Sequence, residues 1–342
     1  MKRLLFILFA VGFSFHSSAQ ECHESGPEVH GMAPIGVMNG HMHSKGHFMA
    51  SYRFMQMGMG GVSSQGNEVS SDQLLMKYMM APVQMHMQMH MLGVMYAPIE
   101  RVTVGVMTSY QRRDMSMLVR RTHSEGMGGT VGMTMEPTEY LMTNGGFGDT
   151  RLVGLIRLTK SAAHCLHAIV GVQMPTGSID AMDQMHPVLP YAMQLGSGSI
   201  EAVTGLNYSY IGPHILFGGQ WNASLPINEN SNGYLVGTFH DANLWVSRKL
   251  VHWLSSSARL NWRIESGVRG VEPRLNPMMS PTSMGGNQAN HGADALIGLN
   301  AKPFERWRVG LEGGVPIYQW NKGEAMNRSW LVQAGVQCML SH

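Results

Sequence analysis

The sequence of 342 residues contains little charge, few cysteines and no long apolar run beyond its first segment. Charged residues make up 13% of the chain, and the formal net charge is +2 without a basic cluster, which argues against a nucleic-acid partner. The three cysteines, Cys22, Cys165 and Cys338, are too few and too widely spaced to predict a disulfide framework. No feature of the sequence identifies a protein partner.

The longest apolar run extends from Leu4 to Phe15, after two basic residues and before a stretch of small residues. It is shorter than the roughly 20 residues that a membrane-spanning helix needs. The order of basic, apolar and small residues is typical of a signal peptide. We therefore predict that residues 1–20 are a signal peptide that exports the chain, and that 21–45 form a Met/His-containing periplasmic lead-in. Residues 46–342 are predicted to form one domain.

Alternation of apolar and polar residues dominates this domain, and no long stretch shows the 3.6-residue period of a helix. The clearest segment has one mainly apolar face, which consists of Leu254, Ser256, Ala258, Leu260, Trp262 and Ile264. Its other face carries arginine, asparagine, serine and glutamate. Such segments run to about eleven residues, the length a tilted strand needs to cross a bilayer. Strands of soluble sandwiches usually stop near five or six residues.

The pattern predicts strands over 46–59, 84–97, 100–118, 147–159, 162–174, 197–210, 213–226, 233–249, 252–266, 291–302, 305–319 and 329–341. Short turns follow every second predicted strand, and long connections lie at 60–83, 119–146, 175–196 and 267–290. This asymmetry is typical of barrels in the bacterial outer membrane. We predict an all-β fold, a single transmembrane antiparallel up-and-down β-barrel of about 12 strands, located in the cell outer membrane and surrounded by its lipid.

Methionine is the compositional outlier, with 32 residues, and it is accompanied by 17 histidines. In the second predicted strand, methionine alternates with histidine and glutamine, which places the methionines on one face and the histidines on the other. Thioether sulfur suits Cu(I), and imidazole suits several transition metals. The candidate metal ligands are Met55, Met57, Met85, His86, Met87, Met89, His90, Met91, Met115 and Met117. The alternative is that methionine serves as a flexible apolar filler; Cu(I) is the only cofactor indicated.

Charged residues on the polar faces of the strands are predicted to fill and charge the lumen rather than to catalyse a reaction. They are Arg151, Arg259, Arg263, Glu265, Arg306, Arg308 and Glu312. No local arrangement of nucleophile, base and acid stands out, so we expect no enzyme and no catalytic residue. No compact Cys/His quartet predicts a zinc site.

Three short motifs in the middle of the chain carry a family resemblance. They are Gly146-Phe147-Gly148-Asp149, Gln173-Met174-Pro175-Thr176-Gly177-Ser178 and Met193-Gln194-Leu195-Gly196-Ser197-Gly198. In these motifs the chain resembles the MetA-pathway of phenol degradation family of outer-membrane transporters. The Met/His-rich opening from Met32 onward is similar to a subgroup associated with metal handling. The resemblance implies a barrel with a transport role, and it supplies no substrate or catalytic residues.

The leading hypothesis is a non-enzymatic outer-membrane transporter or channel with a Met/His-rich sector that contacts copper. One alternative is a channel for small aromatic or hydrophobic compounds. Another is a structural surface barrel with a plugged lumen. The alternatives differ in whether a metal ion, a small hydrophobic solute or no solute enters the lumen.

Overall fold

The computed structural model describes residues 33–122, 135–159, 161 and 163–340; the predicted signal peptide lies outside them. The strands are β1 (Phe48–Ser64), β2 (Asn67–Val69), β3 (Met80–Ile99), β4 (Val102–Thr122), β5 (Met135–Phe147), β6 (Thr150–Arg157), β7 (His164–Met174), β8 (Glu201–Ile211), β9 (Ile215–Pro226), β10 (Tyr234–Leu235), β11 (Phe239–Val251), β12 (Leu254–Glu265), β13 (Arg269–Gly270), β14 (Asn290–Phe304), β15 (Trp307–Asn321) and β16 (Ala325–Leu340). The helix α1 spans Ser71–Lys77, and 3-10 turns lie at Tyr191–Met193, Pro281–Ser283 and Gly285–Gln288.

An antiparallel sheet of fourteen strands closes on itself where β1 pairs with β16. Strand β2 pairs only with β1, at its end. Strands β5 and β6 share one position in the wall, because β4 pairs with β6 over Val102–Met107 and with β5 over Tyr110–Thr122. The wall therefore has twelve positions, which confirms the predicted barrel.

The two ends of the barrel differ. Five connections at one end are short and lie at 100–101, 158–163, 212–214, 252–253 and 305–306. The other end carries the long connections, including 175–200, 227–238 and 266–289, and a short hairpin at 322–324. We call them the short-turn end and the long-loop end. Strands β1, β3 and β4 extend further toward the long-loop end than predicted, so parts of the expected loops 60–83 and 119–146 are strand.

The alternation sorts the side chains between lipid and lumen. On β12, Leu260 is 51% exposed on the outer face, whereas Arg259 and Arg263 are 5% and 8% exposed on the inner face. The same period along β15 leaves Leu311 outside and Glu312 inside. In a closed barrel, each strand pairs on both sides, so the backbone hydrogen bonds are made within the sheet. The apolar outer face can then lie against lipid while the inner face is polar. Among the described residues, no helix is long and apolar enough to cross a membrane.

Rings pair on the outer face, and several of these pairs lie near strand ends, as expected of interfacial girdles. Many of these pairs join a histidine to an aromatic ring, as in His90 with Tyr52, His164 with Tyr208, His240 with Trp221, His291 with Trp320, and His86 with Trp330. Part of the histidine enrichment therefore belongs to the lipid interface.

The long-loop end is closed on one side by a small apolar core. Helix α1 begins with a capping box, in which Ser70 Oγ accepts from the Gln73 backbone N–H at 3.3 Å and Gln73 Oε1 accepts from the Ser70 backbone N–H at 3.0 Å. Its Leu74 and Leu75 are buried against methionines of the barrel wall.

One expectation about cysteine is corrected, because Cys165 is disulfide-bonded, whereas Cys338 is a free thiol.

Candidate functional site in the barrel lumen

Residues 33–47 form a segment inside the barrel, which we call the luminal segment. Wall side chains from several strands hold its backbone. Arg308 of β15 donates to the carbonyl of Ala33, Gln220 of β9 donates to that of Met38 at 2.7 Å, and Asn207 of β8 to that of Gly40 at 3.3 Å. His167 Nε2 of β7 is 2.8 Å from the carbonyl oxygen of Asn39, and the His43 backbone N–H donates to Thr103 Oγ1 of β4 at 3.2 Å. A segment that contacts strands around the circumference must cross the lumen.

Two glycine positions show how tightly this segment fits. A Cβ at Gly36 would lie 2.2 Å from Glu312 Oε2 and 2.3 Å from Arg259 Nη2. On the wall, a Cβ at Gly310 would lie 2.6 Å from Ile35 Cβ. This placement corrects the predicted lead-in over 21–45. Its described part, from residue 33, lies within the barrel because polar side chains of the wall hydrogen-bond to its backbone, mostly by donating to its carbonyls.

A polar network crosses the lumen beside this segment. Arg259 and Glu312 form a two-bond pair, with N–O distances of 2.8 and 2.7 Å. Further toward the long loops, Asp294 contacts Arg263 at 2.9 Å and Arg328 at 3.3 Å. All of these side chains except the partly exposed Arg328 are buried, and their charges are stabilised because each is paired.

Six of the seven predicted luminal residues lie on the inner face. They are Arg151, Arg259, Arg263, Glu265, Arg308 and Glu312. Arg306 is a correction, because it lies exposed in the turn between β14 and β15. The prediction omitted Arg113, Asp294 and Arg328. Extending the same alternation along β4 and β14 would have placed Arg113 and Asp294 inside. Arg328 shares the parity of Trp330 on the outer face, and it lies inside because the pairing of β1 with β16 shifts register between Gly58 and Met59.

Methionines line up across neighbouring strands on the inner face. One row runs through Met59, Met85, Met115 and Met142, each directly opposite the next on β1, β3, β4 and β5. A second pair, Met57 and Met87, lies next to it on β1 and β3. Directly opposite side chains in antiparallel strands have Cβ atoms about 4.5–5.5 Å apart, so neighbouring thioethers can touch.

A cavity of about 230 Å³ lies in front of part of this row, and we call it the vestibule. One side is thioether, supplied by Met57, Met59, Met85, Met87, Met115 and Met326. The other lining groups include Arg113, Arg263, Glu265, Arg328 and Glu324. Arg113 also donates to the Ala192 carbonyl at 2.7 Å and to Gln111 Oε1 at 2.8 Å, which ties the loop 175–200 to the wall.

Other methionines are packed in the dry core under α1. Met80, Met117, Met142 and Met193 are all 0% exposed and belong to one apolar cluster with Leu74. For these positions the structure favours methionine as apolar filler. Of the predicted metal ligands, Met57, Met85, Met87 and Met115 border the vestibule, whereas Met117 does not. Met55 and Met89 are directly opposite each other and half-buried on the inner face.

His86 and His90 lie on the outer face, away from every predicted methionine ligand. His90 Nδ1 is 2.8 Å from the Tyr52 hydroxyl, and its ring contacts Phe54. His86 lies near Trp330, and its Nε2 is 2.9 Å from Gln84 Nε2. The two histidines and the methionines therefore cannot share one ion, which corrects the mixed ligand set.

The three sequence motifs converge on Asp149, in the break between β5 and β6. Its carboxylate accepts from the backbone N–H groups of Gly177 and Ser197, both at 2.9 Å, and from Ser197 Oγ at 2.8 Å. A Cβ at Gly177 would lie 2.8 Å from Gly196 Cα, so the two glycines permit the close approach. The motifs therefore anchor the loop 175–200 to the wall.

The long loops are also joined to one another, through Arg274. It contacts Asp180 Oδ1 at 2.6 Å and Glu272 Oε1 at 2.8 Å, which links the loops 266–289 and 175–200. Hydrogen bonds from Arg274 lower the pKa of both carboxyls, with a further contribution at Asp180 from Asn232. Above the lumen, Lys77 of α1 pairs with Glu324 at 2.7 Å, and this hydrogen bond lowers the pKa of Glu324.

Comparison with known proteins gives structural matches but no sequence match: no protein-family model and no curated protein matches the chain. An outer-membrane channel from Pseudomonas putida F1 is 12% identical and superposes with a TM-score of 0.61, over 90% of this chain and 100% of that one. The transport unit of the Escherichia coli autotransporter AIDA-I gives 0.49 at 12% identity, over 89% and 93% of the chains. The KdgM porin gives 0.39 at 8% identity, over 85% and 98%. At such identities the first likeness shows the fold alone, which is that of a transmembrane β-barrel of the outer-membrane type.

Proposed function

We propose that this protein is a non-enzymatic channel of the outer membrane whose methionine-lined vestibule contacts a soft metal ion, Cu(I), as its solute. The observation that carries the proposal is the thioether wall of the vestibule, where Met57 lies directly opposite Met87 and Met59 opposite Met85. The apolar exterior and the asymmetric ends support the outer membrane as its location. The resemblance to the phenol-degradation transporters remains part of the proposal.

The charges around the vestibule largely offset one another. Arg113, Arg263 and Arg328 lie near Glu265, Asp294 and Glu324, and Lys77 pairs with Glu324, so the formal charge of these seven groups is +1. Neutral thioethers bind Cu(I) through softness rather than charge. Among the described residues there is no group of three or more His, Cys, Asp or Glu that could hold a metal. The donor set therefore favours a soft ion over zinc.

Serine can act as a nucleophile and histidine as its base, but Ser197 and His167 are both held by structural hydrogen bonds, which supports a non-enzymatic role. Ser197 Oγ donates to Asp149 and also lies 3.0 Å from the Ser199 carbonyl, so it is held by loop anchoring. His167 contacts the Asn39 carbonyl in the lumen rather than a hydroxyl. A nucleophile with its base and orienting acid in one site would be needed for hydrolysis.

The proposal is tested by copper entry into cells that express the barrel. The double variant Met57→Leu with Met87→Leu removes two vestibule thioethers at nearly constant volume. The matched control, Met80→Leu with Met193→Leu, removes two thioethers from the dry core. We expect the vestibule variant to lose copper accumulation and the control to match the wild type. Equal accumulation in all three would overturn copper as the solute.

A second candidate is a channel for small aromatic solutes. The observation that favours it is that thioethers and guanidinium groups border the same cavity, since both make favourable contacts with aromatic rings. Uptake assays with a panel of phenols separate the two candidates. Phenol uptake that is sensitive to the vestibule variant, without a copper effect, would favour the aromatic solute.

A further inference from the structure

A second and much smaller cavity lies lower in the barrel, between the luminal segment and the wall. Its volume is about 20 Å³, enough for one occupant the size of a water molecule. Six of its lining side chains carry sulfur or imidazole: Met38, His41, Met49, Met91, Met95 and Met107. Of these, only Met91 belongs to the metal ligands predicted from sequence. The cavity suits a single ion rather than a molecular solute.

The wall supplies its thioethers from adjacent strands. Met49 of β1 lies directly opposite Met95 of β3, and both are buried. Met107 of β4 lies opposite Gly93, where a Cβ would come within 3.2 Å of Met107 Cγ. Glycine at 93 therefore leaves the room in which the Met107 side chain lies beside the cavity.

The luminal segment supplies the other side of the cavity, through Met38, Asn39 and His41. Asn39 lines the cavity with its backbone in the left-handed region, at φ 57°. Its side-chain Oδ1 is buried and has no hydrogen-bond partner among the described residues. An unpaired buried amide oxygen costs free energy, and a cation would satisfy it. The ring of His41 packs edge-on against that of His43, at 5.1 Å between centroids.

We propose that this cavity is a binding site for one soft monovalent cation, Cu(I) or Ag(I), held by thioethers of β1, β3 and β4 together with Met38 and His41 of the luminal segment. A bound ion joins the segment to the wall and so keeps it in the lumen. Soft thioether donors select such ions, and imidazole completes the set. The inference deepens the proposed copper function, but it concerns a separate site and is measured by binding rather than by transport.

The positive charge of Arg53 provides a further test of the proposal. Arg53 also lines the cavity and interacts electrostatically with both Arg259 and Glu312. Its positive charge weakens cation binding. We therefore expect Arg53→Gln to bind Ag(I) more tightly than the wild type, since Glu312 keeps Arg259 as its partner. A purely packing role for the methionines predicts no effect of this substitution on silver binding.

The test measures Ag(I) bound to the purified full-length barrel in detergent, by native mass spectrometry and titration calorimetry. All proteins carry Cys338→Ser, because a free thiol would bind silver. The cavity variant is Met49→Leu with Met95→Leu, and the control is Met80→Leu with Met193→Leu in the dry core. We expect the cavity variant to lose one bound silver ion per barrel, while the control retains the wild-type number.

A second variant, on the luminal segment, distinguishes loss of the binding site from a folding defect of the wall. Met38→Leu with His41→Ala leaves every strand unchanged and is expected to lose the same ion. Folding is checked by heat-modifiable migration on gels. Equal silver binding by the wild type, the wall variant and the segment variant overturns the site. Loss of the ion in both variants supports it even if the barrel transports no copper, so the two proposals fail independently.

Discussion

Arg259 and Glu312 show at the scale of single residues how the lumen tolerates charge. Their side chains are 4% and 1% exposed, and Arg259 also donates to Asn243 Oδ1 at 2.6 Å. Burying such a pair is expensive, and the cost is offset only by close geometry and additional hydrogen bonds. Removing one partner leaves the other charge buried and alone.

We expect Glu312→Gln to destabilise the barrel by roughly 3–5 kcal/mol, because Arg259 loses its counter-charge in a buried setting. Equilibrium unfolding in urea, with the barrel reconstituted in lipid vesicles, measures the change. Glu305→Gln is the control, since Glu305 is exposed in the turn between β14 and β15. It should shift the free energy of unfolding by no more than about 0.5 kcal/mol. Equal shifts would mean that the pair does not stabilise the fold.

Sequence reasoning placed methionines of the first three predicted strands on the inner face, but it did not give their environment. Alternation alone places Met57 and Met117 inside, because both follow the period of their strands. Whether a thioether borders a cavity or a dry core depends on the loops above it, which approach Met117 and leave Met57 open. Those contacts are non-local and have no signature within the strand itself.

At the scale of elements, strand pattern was predictable and loop structure was not. Lipid and lumen impose opposite polarity on alternate residues, so most strand bounds followed from sequence to within a few residues. The extension of β3 to Met80 was missed, because residues 80–83 include Pro82, which cannot donate to the strand ladder and is unusual within a strand. The Arg274 contacts between loops depend on distant residues and could not be predicted from spacing.

The loop contacts of Arg274 predict a dependence on acid. Asp180 and Glu272 have folded pKa values below their ordinary 3.8 and 4.5, so their stabilisation is present above those values and is lost as the pH falls through the lowered ones. Below about pH 4, the protection factors of amides in 175–190 and 268–276, which are the intrinsic exchange rate at that pH divided by the observed rate, should fall. The effect is modest and salt-sensitive, because Arg274 and Asp180 are exposed.

Arg274→Gln should abolish this dependence of loop protection on pH. The amides of both loop segments should then have low protection factors at neutral pH as well. Arg269→Gln, at an exposed arginine in the same loop, serves as the control and should retain the dependence. An unchanged pH profile in Arg274→Gln would show that the loops are joined by other contacts.

At the scale of the whole molecule, the position of the luminal segment is the feature that bears most on passage through the barrel. The segment fills the short-turn half of the lumen, where polar side chains of five strands or more surround it. It was not predicted because the wall binds it largely through backbone carbonyls, at Ala33, Met38, Asn39 and Gly40. Any residue type offers a carbonyl, so this mode of binding leaves no pattern in the sequence.

Gly36 offers a way to displace this segment, because a Cβ there collides with both Glu312 and Arg259. Gly36→Val therefore cannot keep the segment in place without breaking the buried pair, so we expect the segment to move. We expect the variant to show higher single-channel conductance in planar bilayers than the wild type. Lys45→Gln, at an exposed side chain of the same segment, should conduct like the wild type. If Gly36→Val folds and its conductance is unchanged, the segment does not block the pore, and solute must pass beside it between the vestibule and the short-turn end.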